Sequence, residues 1–170
     1  MTLAIYGIEP SDVRGLLGVT DDEIDDSVLS SKVHMAEIAD SLDVINPELS
    51  ERYTELARRV EEGDSTVTKT ELKLVGRVQV YACYKLAQLV MPALPLRALK
   101  RETDGKAEGE RVADPFSELA AHLKEKVDDL ISRIGVTLAE LGLTGTAVSV
   151  AGRYSVGSAL ATDPVTGEAA

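Results

Sequence analysis

The chain has 170 residues, a formal net charge of -11 and one cysteine, a size that ordinarily makes one domain with a substantial core. The charge is lopsided: residues 1–62 carry 15 acidic and 5 basic side chains, a balance of -10, whereas residues 63–170 carry 14 and 13, a balance of -1. An acidic surface repels a phosphate backbone and disfavours conventional DNA binding, and the longest nearly uncharged apolar run, LAQLVMPALPL, falls short of the roughly 20 residues a membrane span needs.

With no tryptophan and with Phe116 as the only phenylalanine, the core must come from Leu, Val, Ile and Ala, which favours helices over a β-sandwich. Cys83 has no intramolecular partner and no basic-then-apolar leader opens the sequence, so a soluble protein of a reducing compartment is expected.

In chain order, Glu9-Pro10-Ser11-Asp12 begins a short helix that Gly18 ends. Thr20 and Glu23 have capping-box spacing, and Ile24, Val28, Met35, Ile38 and Leu42 recur at helical intervals, predicting one helix through residue 45. Asn46-Pro47 reads as a new helix start, with Leu49, Tyr53, Leu56 and Val60 on one stripe and Gly63 as the stop. These are three consecutive helices with acidic outer faces.

The segment from Ser65 to Met91 is apolar around most of its circumference, through Leu72, Leu74, Val75, Val78, Val80, Ala82, Leu86, Leu89 and Val90, as befits a helix covered on several sides. Its polar residues Lys69, Lys73, Arg77, Lys85 and Gln88 form one basic stripe, and Pro92 ends it. Asp114-Pro115 restarts a helix carrying Phe116, Leu119, Leu123, Val127, Leu130 and Ile134, and GVTLAELGLTG adds a turn. The period then becomes two, with Val148, Val150, Tyr154 and Val156 on one face of a strand that needs a partner from another copy or another protein. The expected fold is therefore mainly α: a helical bundle around a long central helix at residues 1–143, with a connector loop at 96–113, and an extended C-terminal β arm at 144–170.

Catalytic and metal-binding patterns fail on spacing. A calcium loop starting at Asp21 would put Asp26 where a glycine is needed and Lys32 where a bidentate glutamate is needed, so TDDEIDD reads as a capped helix start. His34 and His122 have no ligand-spaced companions, Cys83 has no activating neighbour, and no phosphate-binding glycine loop is present. No enzyme activity and no cofactor or metal is expected. The basic stripe is best read as pairing with the acidic helices, within one chain or between subunits.

The succession EPSDVRGLLGVTDDEIDDSVL, acidic helices, VQVYACYKLAQLVMPALPL, the connector LKRETDGKAEGERVADPF, a further helix and an extended arm resembles the head-tail connector, or neck adaptor, proteins of tailed bacteriophages. The resemblance implies a structural protein of the virion neck, assembled in the host cytoplasm. It implies a homo-oligomeric ring, commonly of twelve copies, with the portal protein and a stopper or tail-completion protein as partners. Packaged DNA would pass through without sequence-specific binding, and no membrane is involved. In that setting Lys69, Lys73 and Arg77 on the central helix, Lys106, Glu108, Glu110 and Arg111 in the connector, and Val148, Val150, Tyr154 and Val156 on the strand are the expected intersubunit or portal contacts. A different class fits the same residues: a small acidic regulatory module that masks a basic surface on a partner.

Overall fold

The computed structural model describes residues 3–94 and 116–143, and among them the regular structure is helical, with no strand. A 3-10 turn at Leu3–Tyr6 leads to α1 (Pro10–Leu17), α2 (Asp26–Leu29), α3 (Lys32–Ile45), α4 (Leu49–Glu61) and α5 (Lys69–Val90). A second 3-10 turn, Met91–Ala93, follows α5, and α6 (Ser117–Glu140) closes the described part. The connector 96–113, the Asp114-Pro115 helix start and the strand 146–156 lie outside the described residues.

The local signals explain most of these boundaries. Pro10 occupies the first turn of α1, where its missing N–H costs nothing, and Gly18 ends the helix at φ 67, a left-handed conformation that an L side chain resists. Thr68 and Glu71 form a full capping box at the start of α5: the Thr68 hydroxyl accepts from Glu71 N–H while the Glu71 carboxylate accepts from Thr68 N–H at 2.7 Å. The helix thus begins at Lys69 rather than Ser65, because residues 64–66 are held in a turn by Asp64, which accepts from the Thr66 N–H and hydroxyl.

Two expectations are corrected. Residues 20–45 do not form one helix. The Glu23 carboxylate reaches back to Thr20 N–H at 2.8 Å, as half a capping box would, yet only a turn results. Asp25 then takes an extended conformation, accepts from Ser27 N–H and starts α2, and Ser31 breaks the chain again before α3. Nor does Asn46-Pro47 start α4. Asn46 ends α3 and spends its buried amide on the carbonyl of Leu143, 97 residues away, while Glu48 adopts φ 65 and the helix starts at Leu49. Its missing N-cap is replaced from α3: the Asp43 carboxylate accepts from both Ser50 N–H and the Ser50 hydroxyl.

α5 is the central element, in contact with the first 3-10 turn, α1, α3, α4 and α6. Leu74, Val78, Tyr81, Ala82, Leu86 and Val90 are buried along it, each large one contributing roughly 1.5–3 kcal/mol by leaving water. α6 lies antiparallel to it, since Arg77 meets Arg133 and Thr137 while Glu71 near the start of α5 shares a groove with Leu141 and Leu143. Leu123, Val127, Leu130, Ile134 and Leu138 bury the α6 stripe at steps of four, three, four and four.

The tyrosine hydroxyls in the core also find partners. The Tyr53 hydroxyl donates to Ile5 O and the Tyr81 hydroxyl to Ser41 Oγ. Tyr6 stacks on Tyr53 with ring centroids 5.5 Å apart and planes 15° off parallel, fastening the N-terminal turn onto α4. Burial pushes the phenols of both Tyr6 and Tyr53 up to about 12. Just after Tyr6, Gly7 sits at φ 60 against Gln79, where an added Cβ would be 2.7 Å from Nε2.

Candidate interaction surface

The arginines of the described residues are largely consumed inside the chain. Arg14 donates to Ile24 O at 2.9 Å and pairs with Asp26, Arg58 bridges Glu55 and Glu62, and Arg133 pairs with Asp129. Arg59 pairs with Asp64 at 2.9 Å, donates to Thr66 Oγ1 and lies 3.7 Å from Glu71, joining the end of α4 to the start of α5. The hydroxyl and amide of Thr66, with Arg59, hold the Asp64 carboxyl down at about 2.

The predicted basic stripe divides on the same principle. Arg77 is half-buried and donates through Nη1 to Arg133 O and Thr137 Oγ1, so it clasps α5 to α6 using neutral acceptors rather than the acidic helices. Lys69 and Lys73 remain exposed at the start of α5, with no anionic side chain paired to either among the described residues. Between them Leu72 is 46% exposed, as is Val80 further along α5. Lys106, Glu108, Glu110, Arg111, Val148, Val150, Tyr154 and Val156 lie outside the described residues.

A surface that the sequence did not announce lies on the other side of α5. Leu56, Leu141 and Leu143 floor a groove of about 510 Å³ between α4 and the end of α6. Glu48, Glu51, Arg52 and Glu55 line its α4 side, and Arg59 and Glu71 close one end. Its members come from three stretches far apart in the chain, so periodicity within any one of them carries no trace of it. A second groove of about 580 Å³ lies between α1 and α5, lined by Ile8, Leu16, Val80, Cys83 and Tyr84 with Gly7 and Gly15 at its wall.

Chemistry is sparse across these surfaces. Burial, with a smaller contribution from Asp12, pushes the Cys83 thiol up to about 11, which keeps it protonated and a poor nucleophile at neutral pH. His34 donates from Nδ1 to Val28 O at 2.9 Å, a structural bond across the α2–α3 junction, and His122 is exposed on α6. Among the described residues no group of three or more His, Cys, Asp or Glu side chains is placed to hold a metal ion, and no helix is long and apolar enough to cross a membrane. What the geometry offers is shape and charge: an acidic groove with an apolar floor, and an exposed leucine between two lysines. No family model matches the chain, and comparisons with curated proteins and with solved structures find no match.

Proposed function

We propose that this protein is a head-tail connector of a tailed bacteriophage, forming a ring beneath the portal that joins the capsid to the tail or stopper and leaves a channel for DNA. The observation that carries this reading is the separation of charge on one helical domain. The carboxylates of α1 to α4 are mostly exposed, while Lys69 and Lys73 stand exposed at the start of α5 without an anionic partner among the described residues. A protein that must contact copies of itself at two different patches needs such a division, because a head-to-tail interface joins unlike surfaces and closes into a ring when the rotation permits. Acidic side chains not engaged between subunits, such as Asp21 and Asp22, would line the channel and keep DNA from adhering. The strand expected from the sequence at 146–156, with Val148, Val150, Tyr154 and Val156 on one face, would add to a sheet edge of a neighbour or of the portal.

Negative-stain imaging and native mass spectrometry of the purified protein, alone and with its portal, test the proposal. A closed ring, formed alone or on the portal, is the expected result. A strict monomer with no affinity for a portal would overturn it and favour a regulatory module acting on a basic partner.

A further inference from the structure

We infer that the groove between α4 and the end of α6 is the docking site for the exposed Lys69–Leu72–Lys73 knob of a second copy of this chain. The inference takes the existence of a second copy from the ring reading above and adds both halves of the contact. On the knob, Leu72 keeps 46% of its surface in water on a helix whose other leucines are mostly covered, and the two lysines flank it without a paired anion among the described residues. On the groove, Leu56, Leu141 and Leu143 supply an apolar floor, and Glu51 and Glu55, four apart on α4, line one side with Glu48 just before the helix. Of the charged groups that line it, Glu55 is paired with Arg58 and Arg59 is engaged by Asp64 and Glu71, leaving Glu48 and Glu51 against the single cation Arg52.

The two patches cannot meet within one chain. Glu71 lines the groove, Lys69 and Lys73 each stand two residues from it, about 200° round the helix, and Leu72 stands about 100° round, so the knob points away from the groove. Every copy therefore presents a knob and a groove at once, the condition for a contact that propagates from copy to copy and closes.

Sedimentation velocity and native mass spectrometry of the full chain read the contact. Leu72→Ala, a good helix former at an exposed position, should leave thermal unfolding of the chain below its assembly concentration unchanged and weaken self-association about tenfold per contact. Lys73→Glu and Glu51→Lys should each assemble poorly alone and assemble again when mixed, because each variant then offers the other the opposite charge. Wild-type rings together with rings of normal strength from all three variants would overturn the inference and leave the ring reading intact, as would weakened variants that do not recover on mixing. A dimer that is sensitive to all three substitutions would keep the contact and sink the ring. A wild type that stays monomeric at every concentration, alone and with a portal, would sink both.

Discussion

Replacing Arg77 by methionine keeps most of the aliphatic stem against α6 and removes the guanidinium that donates to Arg133 O and Thr137 Oγ1. Hydrogen bonds from a charged donor contribute about 1.5–3 kcal/mol each in a buried setting, but Arg77 is only half-buried. The groups it leaves behind are not orphaned either, since the Thr137 hydroxyl still donates to Arg133 O at 2.9 Å. The expected net loss is therefore about 1–2 kcal/mol, lowering the melting temperature by about 5 °C in a chain of this size. Urea unfolding at a concentration below assembly should show a lower midpoint with an unchanged slope. Thr137→Val should cost a similar amount, and the double variant less than the sum, with about 0.5–1.5 kcal/mol of coupling. An unchanged midpoint combined with loss of self-association would refute the intrachain clasp and return Arg77 to the subunit surface.

Two glycines at positive φ separate backbone strain from crowding: Gly18→Ala meets open space and should cost about 1–2 kcal/mol, whereas Gly7→Ala also displaces the Gln79 amide. The excess at Gly7 in thermal unfolding should disappear in a Gln79→Ala background, and persistence there would mean that the backbone alone resists. Asp64 gives a pH signature. Its folded carboxyl titrates at about 2 against an ordinary 3.8, so its contribution is complete above about pH 4 and is lost as pH falls toward 2. Stability measured across that window should fall more steeply for the wild type than for Asp64→Asn, and parallel curves would refute the assignment.

How much of this could be read in advance follows the range of the interaction responsible. The α1 stop at Gly18, the α4 stripe of Leu49, Tyr53 and Leu56, and the four-three spacing of α6 are local, and each stands where the sequence puts it. The Thr68-x-x-Glu71 box was equally local but was masked by the turn-forming residues before it. Residues 20–45 mislead because the helical period of Ile24, Met35, Ile38 and Leu42 survives the break: all four are buried although Asp25 and Ser31 interrupt the backbone. Asn46 and Arg77 mislead for the opposite reason. Both carry a familiar local signal, a cap and a stripe, and both are committed to partners more than fifty residues away. The acidic groove joins residues 48–59, 71 and 141–143, and only the antiparallel return of α6 brings them together.

The tyrosines that fasten the core also make the molecule its own optical reporter. With no tryptophan to dominate the ultraviolet signal, the five tyrosines of the chain set its absorption and emission. Tyr6 and Tyr53 lie nearly face to face, and both resist ionisation until about pH 12. Burial also pushes up the Tyr81 phenol, so alkaline difference spectra and near-ultraviolet circular dichroism report on the packing of these core tyrosines, the Tyr6–Tyr53 stack among them, without any label, in the free chain and in whatever assembly it enters.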